Sequence, residues 1–248
     1  MSVSAKETED ENVPIEVLEK KLAGTPTALG RFAVPLAIIL FFWKGALAVS
    51  GCFVIPYAFA LARYEPVSIP WAKNAILSYV LLQIPDTVKN IVQRDSWDNY
   101  VHHALTGIGF LLDYFLGSDR TLAFCAFLFL GEIVAPAYQV THALRHMRLG
   151  CSQANLFALK AGWWLTVLVR IPMALYTYPV VVADIYCWFV YDAASLPVYG
   201  ELQVWARVPC LVGGVALLWL DQIWLGQSAR MIKGVERVLA AKEKKKKH

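Results

Sequence analysis

Two adjacent histidines, His102 and His103, open an apolar stretch and are well suited to proton-transfer chemistry. Asp98, His102 and Thr106 recur at intervals of four, so they share one helical face, and His103 is turned from His102 by about 100°. A carboxylate one turn away can fix the ring tautomer and leave the other nitrogen free as a base. We predict His102 and His103 as catalytic bases, Asp98 as their orienting acid and Thr106 as a substrate-binding hydroxyl. The alternative is an interfacial pair that hydrogen-bonds to headgroups or loop carbonyls.

Single charged residues also interrupt other apolar stretches, at Asp86, Glu132, Arg170 and Asp221. A charge at the bilayer centre is unfavourable by roughly 2.5 to 3.5 kcal/mol, so such groups usually face a cavity or a partner. We predict Asp86 as a second orienting acid, and Glu132, Arg170 and Asp221 as substrate-binding residues. Arg170 is predicted to pair with Asp86 or Glu132, and Asp221 needs a partner as well. The alternative is a buried ion-pair lattice that fixes helix packing.

The elements that position these residues must be membrane helices. Of the 248 residues, 58% are hydrophobic and only 17% are charged, and the mean hydropathy is +0.48. A helical span needs about 20 mostly apolar residues. Apolar length and breakers predict six spans, at about 34–62, 71–91, 100–116, 121–143, 157–177 and 206–227. The apolar segment 179–191 reaches only about 20 Å and is predicted to be re-entrant or interfacial.

The predicted fold is therefore all-α, a polytopic membrane bundle whose helices enclose a polar or acyl-binding cavity. Its parts are an N-terminal segment (1–33), a transmembrane domain (34–234) and a basic tail (235–248). With six spans, seventeen lysines and arginines lie on the side of the termini and four on the other side. By the positive-inside rule, both termini are expected in the cytosol.

Other classes of site have little support in the sequence. The five cysteines have no metal-ligand spacing and fall mostly in apolar runs, so we expect neither a disulfide framework nor a zinc site. The polar first thirty residues predict no cleavable signal peptide. Phosphate-loop, nucleophile-elbow and metalloprotease motifs are absent from the sequence, and nucleic-acid binding has no support beyond the tail lysines.

The Lys-rich end of the tail, 242–248, has three interpretations. It can be a solvated basic tail attracted to anionic lipid. Lys245 and Lys246 resemble a dilysine retrieval signal of endoplasmic reticulum membrane proteins, and the final His248 is also typical of a purification-tag remnant.

Four features in order resemble the TLC membrane domain, which ceramide synthases and translocating-chain-associating proteins share. They are Asp86 after an apolar run, His102-His103-Ala104-Leu105-Thr106, Gly131-Glu132 with Pro136, and the final stretch 217–234. The resemblance covers about 34–234 and is nearer the smaller members, because the residues after Thr106 differ from the longer signature of ceramide synthases. The Asn that usually follows the proline is also missing, so no partner of Glu132 can be inferred from the family.

The resemblance implies an endoplasmic reticulum protein with a cavity open to acyl chains, and a histidine dyad where the member is an acyltransferase. We expect a protein that binds or acts on a membrane lipid or fatty acyl chain. As an enzyme it would transfer an acyl group, with acyl-CoA as co-substrate and no resident cofactor or metal. The alternative is non-catalytic lipid sensing, control of membrane composition or cargo trafficking. A channel or carrier would need a continuous polar stripe, which the scattered single sites do not form.

Overall fold

In the computed structural model, the described residues are 13–23, 30–62, 67–93, 97–117, 119–177, 179, 182 and 203–246. Within these ranges the chain is helical and contains no strand. This confirms the predicted all-α class. Most of the predicted re-entrant segment 179–191 lies outside the described residues.

The α-helices are named here in chain order. They are α1 (Ile15–Ala23), α2 (Gly30–Cys52), α3 (Ala58–Ala62), α4 (Ala72–Gln93), α5 (Trp97–Leu116), α6 (Asp119–Leu128), α7 (Ala135–His146), α8 (Gln153–Leu165) and α9 (Gln203–Lys246). Short 3₁₀ segments (Ile55–Tyr57 and Phe129–Val134) connect α2 to α3 and α6 to α7, and a π-helical segment (Thr166–Arg170) follows α8.

Three helical stretches are long and apolar enough to cross a membrane: Phe32–Leu61, Thr121–His146 and Gln153–Thr177. They correspond to the predicted spans 34–62, 121–143 and 157–177. The other three predicted spans are also helical and form α4, α5 and part of α9. Helix α9 continues to Lys246 without a break, so the predicted boundary at 235 does not coincide with a helix end.

The surface of the protein is unusually rich in large apolar side chains. Phe42, Phe59, Phe115 and Phe157 are 68%, 75%, 72% and 76% exposed. Lysine, aspartate, glutamate and histidine side chains are meanwhile buried inside. Because apolar patches of this kind are rare on monomeric soluble proteins, the arrangement is that of an integral membrane protein.

The apolar core lies between α2, α4, α5, α6 and the α6–α7 connection. Its centre is an aromatic cluster in which the Tyr79 ring is 4.7 Å from Phe110 and 5.2 Å from Phe129, centroid to centroid. Gly51 allows α2 to approach this connection closely, since a Cβ there would lie 2.4 Å from the backbone nitrogen of Leu130. The core therefore fixes the connection that carries Glu132.

Two departures from α-helical geometry position candidate site residues. Glu132 lies in the 3₁₀ segment, four residues before Pro136, whose ring would clash with the carbonyl of residue 132 in a regular α-helix. Arg170 is the last residue of the π-helical segment. Short π segments are frequent at functional sites because they turn one side chain away from the regular helical position.

Candidate functional site

A pocket of about 750 Å³ lies between α1, α2, α4, α5, α7, α9 and the π-helical segment. Ligand pockets typically have volumes of about 300 to 1,000 Å³. The structure brings five of the eight predicted site residues to its wall: Asp86, His102, His103, Glu132 and Arg170. The other three, Asp98, Thr106 and Asp221, are buried but do not line this pocket.

Asp86 of α4 is the centre of the largest charge cluster. Its carboxylate lies 2.5 Å from Nζ of Lys44 and 2.7 Å from Nζ of Lys89. The two lysines come from different helices, α2 and α4, so the pairing fixes these helices against each other. Both lysines are almost fully buried, and a buried ammonium needs such a partner.

His103 faces the same carboxylate. Its Nε2 lies 3.6 Å from Asp86 and 3.0 Å from the side-chain amide nitrogen of Asn90. If the amide donates, Nε2 is the acceptor and the proton of the neutral ring is on Nδ1. Nδ1 is buried and has no hydrogen-bond partner within the described residues. His103 is thus positioned by α4, with one ring nitrogen engaged.

His102 is held by an aromatic ring rather than by a carboxylate. It packs edge-on against Trp224 of α9, with ring centroids 5.1 Å apart. Its buried Nδ1 makes no hydrogen bond to any described residue. Asp98, which the sequence predicts as the acid that orients His102, accepts a hydrogen bond of 2.5 Å from Nε1 of Trp224. Asp98 therefore positions the ring on which His102 packs.

Arg170 and Asp221 are partners of each other. Nε of Arg170 lies 2.9 Å from the Asp221 carboxylate, and the guanidinium lies over the Trp224 ring at 5.3 Å from its centroid. The sequence predicts that Arg170 pairs with Asp86 or Glu132, whereas in the structure it pairs with Asp221, for which the sequence indicates no particular partner. Trp224 thus stands between the guanidinium and His102.

Glu132 is held from two sides. It accepts a hydrogen bond of 3.3 Å from the hydroxyl of Tyr79, and its other oxygen lies 3.9 Å from Nζ of Lys44. The hydroxyl of Thr106 donates to the backbone carbonyl of His102 at 2.7 Å, within its own helix. Thr106 is therefore engaged in α5, whereas Glu132 presents a carboxylate to the pocket.

Sequence reasoning missed several residues of the site. They are Lys44, Lys89, Asn90, His142 and Trp224, all of which line the pocket. Lys44 carries the same signal as Glu132, a single charge within an apolar helix. Lys89 follows Asp86 by three residues, a spacing that places both on one helical face. Asn90 and Trp224 carry no such signal, because their role depends on contacts between distant helices.

Helix α1 lines the end of the pocket furthest from Asp86 and Glu132. Its Leu18, Lys21 and Leu22 line the wall, and Glu19 is 2.6 Å from Lys242 of α9. The thiol of Cys151 donates to the backbone carbonyl of Glu19 at 3.7 Å, and burial raises the pKa of this thiol, which keeps it protonated. Contacts with α9 and with the α7–α8 turn therefore hold α1 in place.

Within the described parts of the chain, no three His, Cys, Asp or Glu side chains form a group that could hold a metal ion. Comparison with protein-family models, with curated proteins and with solved structures finds no match to the chain. The resemblance to the TLC domain therefore stays a prediction, and the functional argument rests on the geometry of the pocket.

Proposed function

We propose that the protein is a TLC-type integral membrane protein that binds an acyl lipid with its polar group in the pocket and transfers an acyl group there. The observation that carries this proposal is the position of His102. It is a buried imidazole on the wall of a ligand-sized pocket, and its Nδ1 has no hydrogen-bond partner among the residues that the structure describes. A base of this kind is suited to remove a proton from a hydroxyl or amine.

The chemistry requires few groups. His102 takes the proton of the acceptor hydroxyl or amine, whose oxygen or nitrogen then attacks the carbonyl carbon of an acyl thioester. The carbon–sulfur bond breaks, and the imidazolium returns the proton to the leaving thiolate. Arg170 and Lys44 line the pocket wall as hydrogen-bond donors for the carbonyl oxygen, on which negative charge develops in the transition state. His103, which Asp86 and Asn90 hold in place, supports the neighbouring His102.

The proposed topology has six membrane spans, with both termini in the cytosol. The charge distribution supports it, because the cationic residues around α1 and the C-terminal half of α9 lie at one end of the pocket. The proposed location is the endoplasmic reticulum, on the basis of the Lys245 and Lys246 pair. In this arrangement the pocket opens toward the cytosol beside α1.

The second candidate function is lipid binding without catalysis. It is favoured by the contacts of Asp86, whose single negative charge is already shared between Lys44 and Lys89 and so gives little support to an imidazolium at His103. In this case the same pocket recognises a polar headgroup for sensing or trafficking.

Mass spectrometry of lipid that co-purifies with the protein tests both candidates for binding. Ala135→Trp places a large ring on the pocket wall, and Val140→Trp is the matched control on the same helix, since Val140 is exposed. We expect a defined acyl lipid with the wild type and the control and its loss from Ala135→Trp. Equal lipid recovery from all three proteins would contradict binding in the pocket.

A further inference from the structure

The pocket is elongated, and its charges are sorted along its length. On α9 its wall runs from Trp224 to Arg237, fourteen residues whose thirteen steps extend over about 20 Å at 1.5 Å per residue. On the α7 side it runs from Glu132 through Gln139 and His142 to Arg145, at helical spacing. One end therefore contains the histidine pair and its ion pairs. The other end, the basic mouth, is formed by Lys21, Arg145, Arg230, Lys233 and Arg237.

The end of the pocket that contains His102 and His103, called the deep end here, has its charges balanced. Asp86 neutralises Lys44 and Lys89 together with the nearby Glu132, and Arg170 is paired with Asp221. An anion that entered there would have to compete with carboxylates already in contact with the cations. The deep end is therefore a site for a neutral or weakly polar group.

Three cations of the basic mouth are not balanced in this way. Among the described residues, the one acidic side chain on its wall is Glu236, which is paired with Lys160 at 2.6 Å. Lys21, Arg145 and Arg230 have no carboxylate partner among the described residues. A cleft lined by charges of one sign concentrates ions of the opposite sign. Arginines in particular form paired hydrogen bonds with phosphate oxygens.

We infer that the basic mouth binds a phosphate group of the ligand whose acyl part reaches the histidine pair. This inference rests on the proposed lipid function and names the chemical class of its ligand, an acyl compound that carries phosphate. The phosphate has two sources, a phospholipid headgroup that enters from the bilayer or an acyl-CoA that enters from water. Trp224 contacts His102, and Arg230 and Arg237 follow Trp224 by six and thirteen residues. The phosphate is therefore bound roughly 9 to 20 Å along α9 from the histidines.

The alternative explanation of the basic mouth, without a ligand, is a set of solvated cations on the cytosolic side. Arg145 would then lie at the C-terminus of α7 because a cation is favourable there. The chain provides two matched control residues that distinguish this alternative from a phosphate site. Arg148 and Lys20 are exposed basic residues three residues after Arg145 and one residue before Lys21, and neither lines the pocket. A general charge effect would involve them equally.

The experiment measures thermal unfolding of the full chain by intrinsic tryptophan fluorescence in a neutral detergent. The ligands are two matched pairs: dioleoyl phosphatidate with dioleoylglycerol, and palmitoyl-CoA with palmitic acid. The variants are Arg145→Gln and Arg230→Gln, with Arg148→Gln and Lys20→Gln as controls. Arg230 is exposed, so its variant carries the test if Arg145→Gln fails to fold.

We expect at least one phosphate-bearing ligand to raise the unfolding temperature at concentrations where its phosphate-free match does not. Each mouth variant should weaken its apparent affinity by about tenfold, as for the loss of one charged hydrogen bond, while the controls stay near the wild type. Stabilisation by phosphatidate alone assigns the phospholipid, and stabilisation by palmitoyl-CoA alone assigns the thioester.

Equal stabilisation by the matched ligands would overturn the phosphate site and leave lipid binding intact. Equal weakening by mouth and control variants would also overturn it, because the charge effect would then be general. If no ligand stabilises the wild type and no lipid co-purifies with it, the phosphate site and the proposed function fail together.

Discussion

Asp98 of α5 and Trp224 of α9 are joined by a hydrogen bond of 2.5 Å from the indole nitrogen to the carboxylate. The same indole ring packs against His102 in a T-shaped arrangement and has the Arg170 guanidinium over its face. Three helical elements that are distant in sequence therefore meet at one tryptophan beside the pocket. Contacts of this kind between distant helices can be tested by substitution.

The Arg170–Asp221 pair should be a major source of stability. Arg170→Gln leaves a buried carboxylate unpaired, so we expect the free energy of unfolding to fall by about 3 to 5 kcal/mol. The double variant Arg170→Gln/Asp221→Asn should recover part of this loss. Lys160→Gln is the control, because it breaks an exposed pair with Glu236 and should lower the stability by at most about 1 kcal/mol. Equal losses for Arg170→Gln and Lys160→Gln would contradict the account.

The carboxylate of Asp86 should matter more than either of its lysines. Asp86→Asn leaves two buried ammonium groups, Lys44 and Lys89, without a full counter-charge, whereas Lys44→Met leaves Asp86 paired with Lys89. We expect the unfolding temperature in detergent to be lower for Asp86→Asn than for Lys44→Met. The reverse order would show that the lysines are not held by this carboxylate.

Two glycines give a matched test of the packing. Gly51→Ala would place a Cβ 2.4 Å from the Leu130 backbone, so α2 must shift and the unfolding temperature should fall. Gly109→Ala, in α5, meets nothing within 4 Å and should stabilise the helix by up to about 1 kcal/mol. Similar unfolding temperatures for the two variants would contradict the close approach of α2 to the α6–α7 connection.

Much of the fold could be predicted from the sequence, since helix position depends on apolar length. The stretch 121–143 is long and apolar, and the structure forms a helical stretch there that is long and apolar enough to cross a membrane. The local geometry was harder to predict. The 3₁₀ segment around Glu132 depends on Pro136, and its position also depends on the approach of α2 at Gly51, a contact between distant residues.

The site was predictable where a single residue carries a charge into an apolar helix, as Asp86, Glu132 and Arg170 do. Its partners were not, because they depend on how helices pack. Spacing of four residues in α5 suggests that Asp98 orients His102, but the arrival of Trp224 from α9 gives Asp98 a different partner. Spacing within one helix cannot show such a contact.

The proposed topology can be tested with glycosylation acceptor sites. Acceptors introduced into the loops 63–70 and 192–203 should be modified in endoplasmic reticulum membranes, because six spans with cytosolic termini place both loops in the lumen. Acceptors in either tail should stay unmodified. Modification of the C-terminal tail would rule out an even number of spans with a cytosolic N-terminus.

The central claim is that the histidine pair performs acyl transfer in the pocket. The direct measurement is transfer from radiolabelled palmitoyl-CoA to a total membrane lipid extract, per folded molecule, for the wild type, His102→Ala and His103→Ala. Unfolding temperature and co-purified lipid are measured on the same preparations. We predict that His102→Ala keeps its fold and its lipid while turnover falls about 10²- to 10⁴-fold, because a general base acts on the transition state rather than on packing. Full activity in both variants, or no transfer by the wild type, would contradict the enzymatic account.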